Sequence, residues 1–284
     1  MRIIALILIT WVGLAAAQDA VAPAPLTANS SDREIMEHMY QHELNQTQTN
    51  ALAEYFPDIS RERAYDIQRL RLEEKSKESA RAGWKLAWTR KTEDTPLDPA
   101  VGHYLANRVY TEGEPVSTRY FTGGRSAAEP EIVFYLKKDL PGPVVTRETV
   151  IDAVESVGIA MEFVAWRALG PQTREHAIVD NGIAVGVLLA NARFSLDDVD
   201  FTQEIGSVTV ADETNSGPAT SIMGEDPLAG LVWAANELPK YGMHLKAGDF
   251  VVSGTVSIPL VVSAGDTASI SFTNLGTLNA KFVE

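Results

Sequence analysis

The sequence has no cysteine among its 284 residues. That excludes a disulfide framework, a thiolate nucleophile and any Cys-ligated zinc, so a metal here rests on carboxylates or histidines. Positive charge is also scarce: 24 Lys and Arg stand against 38 Asp and Glu, a formal net charge of −14. Such a chain repels nucleic acid, whose binding depends on cations that neutralise phosphates. Beyond the first residues, no segment is apolar over the ~20 residues that a membrane span needs. No G-x-S-x-G, G-x-G-x-x-G, P-loop or H-E-x-x-H pattern occurs. A serine-hydrolase elbow, a dinucleotide loop and a zincin site therefore have no support. What remains is an ordinary globular composition, 45% hydrophobic and 22% charged, in a length that suits one large domain or two modest ones.

The N-terminus has the three-part layout of an export signal. Arg2 precedes an apolar run from Ile3 to Leu14, and Ala15-Ala16-Ala17 offers an A-x-A cleavage pattern. Residues 1–17 are read as a cleaved signal peptide, which makes the mature protein periplasmic or secreted and leaves it without a stable membrane span. Residues 18–83 follow as a lead-in, expected to be disordered to about Ser31, and a polar helical part. Asp58 or Ser60 can cap a helix whose apolar side carries Ala64, Ile67 and Leu70 and which is expected to stop at Gly83. The charge run from Glu73 to Glu78 reads as a solvated face.

From Trp84 to the end, residues 84–284, the texture is that of short strands with interspersed helices. Glu131 to Leu136 reads as a strand. Val150, Ala153, Val154 and Val157 then predict a helix capped by Thr146 and stopped at Gly158, with a strand from Ile159 to Trp166. A second helix starts at Asp226-Pro227, carries Leu228, Leu231, Ala235 and Leu238, and ends at Gly242. Ala268, Ile270 and Phe272 alternate with polar residues as in a half-buried strand.

Candidate chemistry lies in the carboxylates and one lysine. His38 and His42 share a helix face, but they sit in a polar segment expected to be mobile, and a pair without a third ligand is weak evidence for a metal. Glu129 and Glu131 are two apart, which places both on one face of a strand, with Pro130 between them suggesting an edge or a strand start. Glu162 stands in an apolar strand where a charge needs a partner. One divalent cation can neutralise all three, Mg²⁺ or Mn²⁺ being suited to carboxylate oxygens. The plain alternative is two surface glutamates and a salt-bridged third, and spacing alone favours it. Lys85, set among Trp84, Leu86 and Trp88, would be desolvated, its pKa lowered, and so fit for proton transfer; a snorkelling edge lysine fits the same pattern.

Read in order, the strings AYDIQ (64–68), ARAGWKLAWTRK (80–91), AAEPEIVFYLKKDLPG (127–142), AMEFVAW (160–166), VDNGIAVGVLL (179–189) and GEDPLAGLVWAANELPKYGMHLKAGDFVVSG (224–254) resemble the 2-keto-4-pentenoate hydratases, part of the fumarylacetoacetate hydrolase superfamily. The resemblance implies an α+β fold: a mixed β roll with flanking helices, preceded by a helical N-terminal part. It implies metal ligands at Glu129, Glu131 and Glu162, with Mg²⁺ or Mn²⁺, and an active-site lysine at Lys85. It further implies substrate contacts at Asp180, Asn181, Ser253 and Gly254, a small 2-oxo or 2-hydroxydienoic acid as substrate, and a homo-oligomer. The implied activity is a lyase that adds water to a 2-hydroxydienoic or 2-oxo-enoic acid of aromatic-ring breakdown. A 2-oxo acid decarboxylase, a C–C hydrolase or an exported binding protein are the alternatives. The chain departs from the family pattern at Ala87, where a Gly is usual, and at Ala100, where a second acid-base carboxylate is usual, with Asp98 close by but shifted.

Overall fold

A computed structural model describes residues 22–90, 97–122 and 126–284. The expected signal peptide lies outside them. In chain order the elements are α1 (Asp32–Leu44), α2 (Ala51–Tyr55), α3 (Arg61–Lys75), β1 (Arg81–Ala87), β2 (Ala100–Leu105), β3 (Val109–Thr111), β4 (Val116–Ser117), β5 (Ser126–Leu136), α4 (Arg147–Ala153), β6 (Val154–Ala165), α5 (Arg174–Val179), β7 (Ala184–Leu189), β8 (Ile205–Val210), β9 (Glu213–Pro218), α6 (Leu228–Glu237), β10 (Phe250–Val252), β11 (Leu260–Val261), β12 (Thr267–Phe272) and β13 (Gly276–Val283).

The strands form two sheets. The larger runs β2-β1-β10-β5-β6-β7-β3, with β11 also paired to β5; the smaller runs β4-β13-β12-β8-β9. The larger sheet curls until β2 lies against β7. Its concave face holds a small apolar cluster that includes Val133, Tyr135, Ala160, Val187, Phe250 and Val252. The main core lies on the other side, between the sheets and helices, and takes in Ile35 and Met39 of α1 and Ile67 of α3. This is the mixed roll with flanking helices that the resemblance implies.

Most helix boundaries follow the local chemistry. Ser60 caps α3 by accepting from Arg63 N–H, and Thr146 caps α4 by accepting from Thr149 N–H. Asp226 accepts from Leu228 N–H at the start of α6, and Gly242 closes the turn after it in a left-handed conformation. Other boundaries need correction. The helix expected to reach Gly83 stops at Lys75; Gly83 belongs to β1, where a Cβ would stand 2.6 Å from the Phe250 ring. In the charge run, Lys75 is buried with its ammonium 3.3 Å from the Tyr40 ring centroid, while Glu73 and Glu78 are exposed. The helix expected over Val150–Val157 ends at Ala153. Val154 and Val157 are β-branched and enter β6, and Gly158 lies in that strand opposite Val133. The lead-in is tied down at its described end, because Leu26 is only 4% exposed and packs in the main core. His38 likewise sits in an ordered helix, buried between Ala24 O at 2.7 Å and Thr49 Oγ1 at 3.1 Å.

Pro130 is the correction with most consequence for the site. It lies inside β5, one of the central strands. There β5 pairs with β10 over residues 133–135 and with β11 over residues 127–128, leaving a gap between them. A proline fits that gap because no ladder donor is required of it. The segment after β10 crosses here instead: Ser253 N–H donates to Ile132 O at 2.9 Å and Val256 N–H to Pro130 O at 3.2 Å.

Candidate metal centre and its cavity

Antiparallel register builds the acidic cluster. Glu129 on β5 is directly opposite Glu162 on β6, and Glu131 is opposite Ala160, so the period of two puts all three carboxylates on the concave face. One carboxylate oxygen from each lies within 4.8 Å of the others. All three are buried, Glu131 and Glu162 completely. Like charges placed directly across a ladder repel, so this arrangement opposes folding unless something cationic joins it.

The crossing segment supports the cluster. Gly254 N–H donates to Glu131 Oε2 at 2.8 Å, and Ser253 Oγ accepts from Ile132 N–H at 3.1 Å. Gly254 has φ +88°, and a Cβ there would stand 2.0 Å from Thr89 Oγ1, so only glycine fits. Ser253 and Gly254, expected as substrate contacts, are thus seen holding a glutamate and its strand.

Lys85 is 2% exposed, which rules out the snorkelling edge reading. Its Nζ lies 2.9 Å from Glu162 Oε1 and donates to Gly182 O at 3.1 Å. Gly102 faces it across the β1–β2 ladder, and a Cβ there would come within 2.9 Å of the lysine Cγ and 2.5 Å of Asn181 O. Burial alone would lower the lysine pKa, as expected from sequence. Three carboxylates, Glu162 first, outweigh it and raise the pKa instead. Burial, reinforced by the charge of Glu162, pushes Glu129 up to about 8, and the same causes hold Glu131 well above the carboxylate range.

Tyr104 was missed from sequence. On β2 it falls on the same face as Gly102, and the curl of the sheet brings its hydroxyl to donate to Glu162 Oε1 at 2.6 Å. Its only sequence signal is that alternation. Asp180 and Asn181, expected to bind substrate, are engaged elsewhere. The Asp180 carboxylate is fully buried and accepts from Arg167 Nε at 2.8 and 3.0 Å. The Asn181 amide pins β2 through His103 N–H at 3.0 Å and His103 O at 2.9 Å. Their contribution to the site is the turn that follows, whose Gly182 carbonyl meets Lys85. Ala100 is buried opposite Ala87 and supplies no acid-base group, while Asp98 is paired with Arg61 at 2.6 Å and Arg174 at 3.4 Å. His103 lines a separate small cavity with Arg71 and Arg108, so among the described residues no histidine–glutamate pair stands at the cluster.

The cluster opens on a cavity of about 290 Å³ lined by Lys85, Trp88, Arg90, Glu129, Trp166 and Ile183. A neighbouring cavity of about 480 Å³ shares Trp88, Trp166 and Ile183 and adds Gln172 and Arg174. Arg90 was not singled out from sequence; its charge acts to lower the pKa of Glu129. Among the described residues no helix is long and apolar enough to cross a membrane.

Comparison with known proteins agrees with this architecture. The profile of the fumarylacetoacetate (FAA) hydrolase C-terminal family matches residues 74–283. The chain is 28% identical over 264 residues to the 2-oxo-hept-4-ene-1,7-dioate hydratase of Escherichia coli, covering 88% of this chain and 97% of that one. It is 30% identical over 242 residues to the 2-hydroxyhexa-2,4-dienoate hydratase of Comamonas testosteroni, covering 82% and 90%. Among solved structures, 4-oxalocrotonate decarboxylase from Pseudomonas putida G7, complexed with magnesium and adipate, superposes with a TM-score of 0.81 at 22% identity, over 89% of this chain and 97% of that one. At that identity the likeness establishes the fold.

Proposed function

The chain belongs to the fumarylacetoacetate hydrolase family, and from that premise we propose that it is a metal-dependent hydratase, a lyase that adds water to a 2-hydroxydienoic or 2-oxo-enoic acid. The observation that carries this is the buried trio Glu129, Glu131 and Glu162, faced by one ammonium and open to a cavity. The trio fits a divalent ion. Glu131 Oε1 and Glu162 Oε2 are buried with no hydrogen-bond partner among the described residues, the state expected of oxygens meant for a cation. All-oxygen donors suit Mg²⁺ or Mn²⁺, and Glu129, Glu131 and Glu162 would hold it. When bound, the ion supplies a Lewis-acid charge for the carboxylate and 2-oxo oxygen of the substrate.

The protein's own groups do the rest. Lys85, fixed by Glu162 and Gly182 O, can steady negative charge developing at the 2-oxo oxygen and pass a proton to the carbon chain. Tyr104 orients the glutamate that orients Lys85. Trp88 and Trp166 present flat apolar walls to a conjugated chain and limit the water that reaches it. Hydratase names among the relatives and the ordered motifs support hydration as the reaction.

The test is direct. Purified protein with Mg²⁺ and 2-hydroxypenta-2,4-dienoate should lose the dienol absorbance and yield the hydroxy-oxo acid. Carbon dioxide release from a dicarboxylic analogue would move the reading to a decarboxylase, and binding without turnover to a binding protein. Two further proposals accompany this one. The Arg2–Ala17 pattern supports export, with a mature terminus at or near Gln18 by N-terminal sequencing. Ile205, Ile258 and Val261 are exposed apolar residues, and they support association into at least a dimer, measured as mass by light scattering.

A further inference from the structure

Lys85 and Arg90 both line the cavity that opens from the glutamate trio, together with Glu129 itself. They are five residues apart, and in an unbroken strand an odd spacing sends two side chains to opposite faces. The strand breaks between them. β1 ends at Ala87, and Trp88 has φ +52°, a left-handed conformation that is an outlier for so bulky a residue. Backbone of this kind persists only where the surroundings fix it, and it concentrates at ligand sites. Here the chain is fixed just past the break. Met223 N–H donates to Thr89 O at 2.7 Å, and Arg90 pairs as an isolated antiparallel bridge with Ile222, which is fully buried. The chain is turned out of its strand and tied down, and a second cation reaches the cavity as a result.

The two cations differ in what already engages them. Lys85 is 2% exposed and held by Glu162 and Gly182 O. Arg90 is half-buried, and its guanidinium has no hydrogen bond or ion pair among the described residues. Its charge is felt by Glu129, yet it stops short of an ion pair with that carboxylate. Charge balance indicates what belongs beside it. Three carboxylates, one ammonium and one divalent ion are neutral together. An anionic ligand on that ion leaves one negative charge uncompensated, in a chain whose own formal charge is −14 and which offers an anion no general attraction. Arg90 cancels that charge, and its planar fork matches a carboxylate.

We propose that Arg90 is a substrate-binding residue: it pairs with the ligand carboxylate next to the 2-oxo group and supplies the positive charge that the ion and Lys85 do not. This rests on the hydratase reading above for the class of ligand, a 2-oxo acid held at the trio, and adds the residue that recognises its charge.

The experiment measures binding of 2-oxopentanoate and of its uncharged amide, 2-oxopentanamide, to the full chain at saturating Mg²⁺ by calorimetry. Both offer the 2-oxo oxygen to the ion, and they differ in the charge of the neighbouring group. Arg90→Gln should weaken 2-oxopentanoate by roughly tenfold or more, the scale of a hydrogen bond between charged groups, and should change 2-oxopentanamide little. Arg90→Lys, which keeps the charge but not the fork, should fall between wild type and Arg90→Gln. Mg²⁺ binding without organic ligand should be no weaker in Arg90→Gln than in wild type, because a cation near the trio repels the ion. A merely structural arginine would move both ligands and the metal together. Equal losses for the two ligands, no loss for either, or a parallel loss of Mg²⁺ affinity would overturn the proposal, as would equal binding of acid and amide by the wild-type protein whether or not the variants fold. Any of these results alongside hydration of the dienoic acid overturns the role of Arg90 alone. Failure of the wild-type protein to bind either ligand overturns the hydratase reading, and this inference falls with it.

Discussion

Two clusters of buried charge lie in this molecule, and they are built in opposite ways. At the metal centre, Glu129, Glu131 and Glu162 face one ammonium, Lys85, so full ionisation leaves a net charge of −2 (three carboxylates against one cation). In the second cluster, Glu43 and Asp180 are surrounded by Arg71, Arg108 and Arg167, a net charge of +1 (two carboxylates against three cations). Arg71 bonds Glu43 through a short contact, Arg108 reaches the other oxygen of Glu43 at 2.9 Å, and Arg167 clamps Asp180. Burial opposes ionisation of Glu43, but three guanidiniums, Arg71 first, overcome it and hold the carboxyl down at about 2. Burial and a neighbouring carboxylate push Glu129 the other way, to about 8. The second cluster is a structural tie between α1, α3 and the β6–α5 segment in which both carboxylates are paired with guanidiniums, although Arg71 Nη1, Arg108 Nε and Arg167 Nη1 have no hydrogen-bond partner among the described residues. The first is unfinished without a divalent cation, and that incompleteness marks the functional site.

The largest effect that separates the two is on folding. Glu43→Gln leaves three buried guanidiniums with one carboxylate, and breaking a buried pair in this way costs about 3–5 kcal/mol. Chemical denaturation at neutral pH checks this, and a loss well under 1 kcal/mol would show that the second cluster is not a tie. Lys85→Ala should depress turnover by roughly 10²-fold or more at saturating Mg²⁺, the scale of a lost acid-base group. Lys85→Arg should not restore it, because guanidinium does not release its proton. Near-normal turnover in Lys85→Ala would place proton transfer elsewhere.

The two clusters should also set opposite limbs of the pH–stability curve. Glu129 keeps its proton when folded up to about 8 and loses it when unfolded near its ordinary 4.5. Between those values the folded state binds more protons, so metal-free stability falls as pH rises through that window. Glu43 is the reverse: its stabilisation is present above 4.5 and is lost as pH falls toward 2. Thermal unfolding of the metal-free protein across pH should show both limbs, and Mg²⁺ should remove the upper one. A flat profile from pH 5 to 8 without metal would contradict the assignment of the trio. The smallest effect is that of Tyr104→Phe, which deletes one hydrogen bond to Glu162. Outer partners of metal ligands are worth about 10–100-fold in affinity, and Mg²⁺ titration should show a loss near the lower end.

The same contrast explains what could be read from the sequence. That Glu129 and Glu131 share a strand face was legible because a period of two is local, and Glu162 was conspicuous as a charge in an apolar strand, but spacing alone favoured surface residues and a salt bridge, and only the resemblance implied the three as ligands. Their support was not legible: Tyr104 reaches Glu162 only because the sheet curls, and Gly254 reaches Glu131 only because Pro130 opens a gap in the ladder. The arginine cluster was invisible, since Glu43 finds Arg71 and Arg108 at sequence separations of 28 and 65. For the same reason Asp180 was expected at the substrate when Arg167 holds it. In the fold, Val154 and Val157 satisfied a helical period, yet their strand pairing decided the outcome.

The central claim is that the trio is a divalent-cation site whose carboxylates oppose folding until the ion arrives. Thermal unfolding of the wild-type protein and of Glu131→Gln at pH 7, each with and without Mg²⁺, tests it most directly. Without metal, Glu131→Gln should melt at a higher temperature than the wild-type protein, because burial beside Glu162 and Glu129 makes the folded protein take up a proton at Glu131 that the unfolded chain does not hold at this pH, and glutamine carries no such cost. With Mg²⁺ at ~100 times its dissociation constant, the wild-type protein should gain about 2.7 kcal/mol and the variant little or nothing. A wild-type protein indifferent to Mg²⁺, or a Glu131→Gln variant that is less stable than wild type without metal, would contradict the account.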